Sequence, residues 1–239
     1  FIGADGAELC NVPVYEGDNC EDPVESGIID EPTQEGTKYI GYKHSGWSKV
    51  SGGAADSTAL QNITANRTVY AAFEEYEITL ANGVASDDGS VLWKINPDYV
   101  LTFYGSGESI GSYYSGLQPN TPWIDYQGQI VKVVIEEGIK NIGMYNFKNM
   151  ASLTEVVLPS GMRQIGNRAF ENCTSLKSIT IPAAVKYIHD YVFYDTPLES
   201  VVFERTSGWA HMKNSLTGDG SVAVSASELQ DPANAAALM

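Results

Sequence analysis

The chain has 239 residues, 43% of them apolar, with 30 acidic against 14 basic side chains and a formal net charge of −16. Such a balance repels polyphosphates and argues against nucleic acid as a partner. No apolar run is long enough for a helical membrane span, and three cysteines cannot make a disulfide framework. The negative charge is uneven: residues 1–75 carry −9, residues 76–125 carry −5, residues 126–205 are neutral and residues 206–239 carry −2. The chain opens at Phe1 in mid-pattern with no initiator Met or leader. It therefore reads as a mature fragment, with any export signal or anchor expected outside it.

Residues 1–75 read as short strands broken by turns. Asp5-Gly6 sits between two short half-apolar runs, which is a hairpin signal. A polar, acidic, Pro-containing connector comes next, and then KYIGYKHSGWSKV, where Tyr39, Gly41 and Lys43 alternate with Ile40, Tyr42 and His44. Period-two alternation predicts a strand with one buried face. The segment closes on a turn at Ala65-Asn66 and a strand through Val69, Tyr70 and Phe73. Cys10 and Cys20 could close a small loop if oxidised, and spacing alone does not decide it. The order of features resembles the Listeria–Bacteroides repeat modules of bacterial surface proteins. Asp5, Gly6, Gly17, Pro32, Thr33, Gly46, Trp47, Ser48, Ile63, Thr64, Thr68, Val69, Tyr70, Ala71 and Phe73 carry the match. That resemblance implies a separate small β-rich, β-grasp-like module over residues 1–75, on a secreted or wall-attached chain.

Residues 76–125 hold three strand-like runs, YEITLA, SVLWKI and YVLTFYG, the last two joined by a tight turn at Asn96-Pro97-Asp98. A hairpin here would cover the open apolar end of residues 126–205, as the ends of a repeat array require. Those residues are self-similar. Phe147, Phe170 and Phe193 recur every 23 residues, as do Ile142, Ile165 and Ile188, and Ile130, Leu153 and Leu176. A period of this size predicts a solenoid. Each unit opens with a strand whose alternate apolar residues point inward: Leu153, Val156 and Leu158, then Leu176, Ile179 and Ile181. A turn comes at Pro159 or Pro182, and the Ile-Gly-x-x-Ala-Phe segment is expected to return the chain as one or two turns of helix. Cys173 is expected to be a buried free thiol.

The pattern LxxIxIPxxVxxIGxxAFxxCxxL resembles the BspA-type leucine-rich repeat. Leu153, Val156, Leu158, Pro159, Met162, Ile165, Gly166, Ala169, Phe170 and Cys173 carry it, with Leu176, Ile179, Ile181, Pro182, Val185, Ile188 and Phe193 in the next unit. His189 stands where Gly143 and Gly166 stand, Asn146 and Val192 replace Ala169, and Met150 replaces Cys173. The fold class expected is mainly β with short helices: a short leucine-rich repeat solenoid with a capping hairpin, beside the N-terminal module. The tail, residues 206–239, is expected to cap the other end. Trp209 would cover the last repeat, Asp219-Gly220 would turn, SVAVS would form a strand, and Asp231-Pro232 would start a short helix.

Catalytic signals are weak. Gly107-Glu108-Ser109-Ile110-Gly111 fits the nucleophile elbow, but that motif needs a strand, a sharp turn and a helix, and SYYSGLQPNTPW is no helix. His44, His189 and His211 are far apart and lack metal-ligand spacing; His44 reads as a surface residue and His189 as structural. Asp87-Asp88-Gly89 reads as a turn. No catalytic residue, metal or cofactor is expected, and the chain is read as no enzyme. The surface singled out is the outward face of the repeat strands: Lys132 and Val134, Glu155 and Val157, Ser178 and Thr180, Ser200 and Val202. Stacking would place them in two columns on one sheet, the surface solenoids use for binding. Together with the resemblance, this implies an extracellular bacterial surface protein binding a host or environmental protein or glycan. The competing expectation is a spacer that holds another domain away from the cell.

Overall fold

The structure is a computed structural model and describes residues 1–12, 18–115, 118–205, 210–212 and 221–222. Two compact units divide the chain, residues 1–78 and residues 79–239.

In the first unit, Asp5-Gly6 forms the expected tight turn: Gly6 has φ 80° and Ile2 bridges Glu8 antiparallel. Two strands, β1 (Ile40–Ser48) and β2 (Tyr70–Glu77), pair antiparallel, with a register shift between His44 and Gly46. A shift of this kind inserts an extra residue and bends the strand. The extra residue sets Trp47 on the same face as His44, whose ring meets Trp47 at 5.1 Å and Phe73 at 5.9 Å, both edge to face. His44 is therefore half-buried rather than a surface residue. Trp47, Ala59, Val69 and Ala71 form the small core, and Phe1 packs edge to face on Trp47 at 4.7 Å. Asp22 lies in the acidic connector. Its carboxylate accepts the Trp47 indole N–H at 2.8 Å and the Val24 N–H at 2.9 Å, so one side chain both starts a turn and pins the core ring. Cys10 and Cys20 are free thiols, both half-buried.

The second unit opens with a meander of β3 (Ala81–Val84), β4 (Val91–Ile95) and β5 (Val100–Gly105), paired antiparallel in sequence order. Asn96 makes the turn between β4 and β5: its side-chain oxygen accepts the N–H groups of Asp98 and Val100, both at 3.0 Å. A short pair comes next, β6 (Tyr114–Ser115) with β7 (Gln118–Pro119), and then a single 3-10 turn at Ile124–Tyr126. The repeats supply β8 (Lys132–Ile135), β9 (Asn141–Ile142), β10 (Glu155–Val157), β11 (Gln164–Ile165), β12 (Ser178–Ile181), β13 (Tyr187–His189) and β14 (Ser200–Phe203). The tail adds β15 (Ala210–Met212) and β16 (Ser221–Val222).

These strands make a β-solenoid of about three coils. One wall is the sheet β10-β8-β5-β4-β3 together with the parallel pair β12-β14; the other is β16-β15-β13-β11-β9. Each coil lies in register on the next, with Val133 opposite Val156 and Ile142 opposite Ile165 opposite Ile188. The cap joins the same way, because β5 pairs parallel to β8 with Leu101 opposite Val133 and Phe103 opposite Ile135. Between the walls runs a continuous core, in which Phe147, Phe170, Phe193, Ile142, Ile165, Ile188, Ile130, Leu153 and Leu176 are each at most 4% exposed. Phe147, Phe170 and Phe193 stack at 5.0 and 5.5 Å between centroids, and Trp123 extends the stack toward the cap at 6.5 Å from Phe147. A buried phenylalanine contributes roughly 1.5–3 kcal/mol. Cys173 is fully buried and unpaired, and burial pushes its thiol up to about 12.

The return segments are not helical. Their N–H groups bond to the following coil rather than four residues back: Tyr145, Phe147 and Asn149 donate to the carbonyls of Asn167, Ala169 and Glu171, and Arg168, Phe170 and Asn172 donate to those of Asp190, Val192 and Tyr194. Tyr145, Asn149, Arg168, Asn172, Tyr191 and Asp195 all have φ between 55° and 63°, which a right-handed helix does not permit. The expected short helices are thus replaced by a second ladder around the turn. The glycine before it is required by contact, since a Cβ on Gly143 would lie 2.2 Å from the Gly111 carbonyl oxygen. Of the tail readings, Trp209, the Asp219-Gly220 turn and the helix starting at Asp231 lie outside the described residues; Ser221–Val222 is a strand, antiparallel to β15.

Candidate functional site

The site begins with strand alternation. In β8 the inner residues Val133 and Ile135 are buried, which leaves Lys132 and Val134 on the outer face. In β12, Ile179 and Ile181 are buried, which leaves Ser178 and Thr180 outside. Parallel pairing then sets Lys132 opposite Glu155, and Val134 opposite Val157. On the second pair of strands, Ser178 lies opposite Ser200 and Thr180 opposite Val202. The structure therefore gathers the eight residues into two groups of four. The hydrogen-bonded ladder stops between β10 and β12, although the two strands are neighbours.

The face carries little net charge. Lys132 Nζ lies 2.8 Å from Glu155 Oε1, so the one cation and the one anion among the eight neutralise each other. The second column, Val134, Val157, Thr180 and Val202, is β-branched throughout, and such side chains have restricted χ1 freedom. Val157 is 40% and Val202 52% exposed, so these methyl groups face water.

The capping strands widen this face beyond the eight residues expected. Val100 lies opposite Lys132 and Thr102 opposite Val134, so Thr102 continues the β-branched column. Lys94 lies opposite Thr102 on β4, with its Nζ 5.4 Å from the Tyr104 ring centroid. The signal was present in VLTFYG, where buried Leu101 and Phe103 alternate with Thr102 and Tyr104. What the pattern lacked was the parallel pairing to β8, which places those outer residues in line with the repeats.

The other singled-out residues serve the fold. Ser109 forms a parallel bridge to Asn141, and its Oγ accepts the Asn141 side-chain N–H at 2.8 Å. The GxSxG stretch is thus extended chain alongside β9, leading to the β6–β7 pair and not to a helix. Glu108 pairs with Lys140, whose hydrogen bond and charge lower the Glu108 pKa. Asp88 accepts the Ser90 hydroxyl at 2.5 Å, the Ser86 hydroxyl at 2.7 Å and the Ser90 N–H at 3.0 Å. These bonds hold its carboxyl down at about 2 and close the turn at Gly89. His189 is buried, with its Nε2 2.8 Å from the Gln164 side-chain nitrogen; His211 lies in β15. Among the described residues, no group of three or more His, Cys, Asp or Glu side chains could hold a metal ion.

A two-walled parallel solenoid with a repeating period, inward aliphatic anchors and a capping meander is the architecture of a leucine-rich repeat array. Residues 125–214 match the family model described as "BspA type Leucine rich repeat region (6 copies)", and the repeat array of this chain is of that type. Among solved structures, the chain is similar to a leucine-rich repeat protein from Eubacterium ventriosum (TM-score 0.41, 20% identity, covering 56% of this chain and 44% of that one). It is also similar to a leucine-rich repeat protein from Bacteroides capillosus (TM-score 0.35, 21% identity, 48% and 94%). A third similarity is to a leucine rich cell surface protein from Faecalibacterium prausnitzii (TM-score 0.29, 23% identity, 57% and 46%). The match thus spans less than half of the Eubacterium and Faecalibacterium chains. A comparison with curated protein sequences gave no match.

Proposed function

We propose that the chain is part of an extracellular bacterial surface protein and that it binds a macromolecule, host or environmental, through the outer face of its strand wall, without catalysis. The observation that carries this reading is the in-register display of Lys132, Val134, Glu155 and Val157, continued by Ser178, Thr180, Ser200 and Val202. A rigid sheet with uncharged β-branched residues in line presents a surface ordered before any partner arrives, which lowers the cost of association. The repeat array is neutral, so binding at this face should depend little on salt. A screen of the chain against matrix proteins and glycans should find a ligand, and Glu155→Arg with Ser178→Arg should abolish its binding. Retained affinity in that double variant would discard this face as the site.

A second reading, a spacer that presents another domain, is supported by the Lys132–Glu155 pair, since the charges on the face already satisfy each other. A spacer would bind nothing in the screen, yet shortening the array would reduce the reach of the full-length protein.

A further inference from the structure

A different surface, on the turns that join the two walls, changes character along the array. Positions equivalent by register and by backbone conformation can be compared coil by coil. Asn141 and Gln164 are succeeded by Tyr187. At the first left-handed position, Tyr145 and Arg168 are succeeded by Tyr191, and at the second, Asn149 and Asn172 are succeeded by Asp195. Between them, Lys148 and Glu171 are succeeded by Tyr194. The core residues beneath do not change, since Phe147, Phe170 and Phe193 are all buried. The third coil thus keeps the fold and replaces the surface, leaving Tyr187, Tyr191 and Tyr194 at 41%, 49% and 49% exposure.

The cations of the earlier coils are already engaged. Glu171 takes Lys148 at 3.2 Å and Arg168 at 2.8 Å. Arg168 also lies over the Tyr191 ring at 4.5 Å, and Lys148 lies over the Tyr145 ring at 5.3 Å. Tyrosine rings at this turn position hold a cation in two coils, so the geometry suits cation–π contact. Tyr194 stands against Tyr191 at 5.7 Å with the ring planes at 86°, which makes a corner rather than the flat platform on which a sugar ring stacks. Asp195 beside it is exposed, fixed at φ 55°, and makes no hydrogen bond or ion pair among the described residues.

We propose that Tyr191, Tyr194 and Asp195 form a docking corner for a cationic, arginine-bearing segment of a partner protein. The guanidinium would lie in the corner against a ring face and pair with the Asp195 carboxylate, as Arg168 does with Tyr191 and Glu171. The chain's charge of −16 draws such a segment from a distance. The proposal is independent of binding at the strand face.

The test is fluorescence anisotropy of the whole chain with a labelled arginine-rich peptide and with its citrulline counterpart, which keeps the shape and loses the charge. The arginine peptide should bind and the citrulline peptide should not. Tyr191→Ser with Tyr194→Ser should weaken binding about five-fold at unchanged net charge, while Tyr191→Phe with Tyr194→Phe should retain it. Asp195→Asn should weaken it about two-fold. Equal affinity in the serine variant would overturn the proposal, because attraction would then be net charge alone. So would tyrosine-dependent capture of a glycan on an array without peptide binding, or no peptide binding at all. Should the serine variant melt earlier than the parent chain, Asp195→Lys supplies the deciding measurement: unchanged peptide affinity there sinks the idea.

Discussion

Residues 1–78 and residues 79–205 solve the problem of a small core in opposite ways. The first unit concentrates its core on one ring: Trp47 is buried against Ala59, Val69 and Ala71, with Phe1 at its edge and Asp22 on its indole nitrogen. The second unit spreads its core along a row of equivalent positions, so that each coil buries the face of its neighbour. Loss of a residue should therefore act differently in the two. It removes the centre of the first unit, but only a link in the second.

Trp47→Ala should have the largest effect, about 4 kcal/mol. In chemical denaturation the transition of residues 1–78 should vanish while that of the solenoid stays in place; a shift of both together would show the units to be one cooperative body. Phe170→Ala breaks the stack at its middle and should cost the second unit about 3 kcal/mol. Its unfolding should also become less cooperative, visible as a lower slope against denaturant. Glu171→Ala leaves Lys148 and Arg168 facing each other in a mostly buried site. A loss of about 2 kcal/mol is expected in thermal melts, and Glu171→Gln should recover part of it. Cys173 distinguishes the units chemically. Its thiol is held up at about 12 against an unfolded value of 9.0, so the fold keeps the proton. Stability should fall as pH rises from about 9 toward 12, and iodoacetamide at pH 8 should modify Cys10 and Cys20 well before Cys173. The smallest effect is a gain. Asn146 is 1% exposed, and neither of its side-chain polar atoms has a hydrogen-bond partner among the described residues. Asn146→Ala, which installs the residue of the next coil, should raise stability by about 1 kcal/mol, and a lower melting temperature would contradict this.

Much of the solenoid was legible because a repeat states its own register. Ile142, Ile165 and Ile188 lie in one ladder as their spacing implied, and the inward aliphatic residues of β8 and β12 are buried. The return segment was not legible. Gly-x-x-Ala-Phe carries good local helix signals, but its N–H groups find carbonyls on the adjacent coil, a partner that no local window contains. The strand face was legible in part. Alternation named the eight outward residues, while the break between β10 and β12, and the addition of Thr102 and Lys94, depend on how the cap and coils pair.

The sequence by itself determined the period, the identity of the buried anchors and the neutrality of the array, because each is a property of residue order. Only the tertiary structure decided which backbone groups pair. A parallel solenoid satisfies its N–H and C=O groups between coils rather than within them. That rule put left-handed residues at Tyr145, Arg168 and Tyr191, and it brought Arg168 over the equivalent ring one coil on.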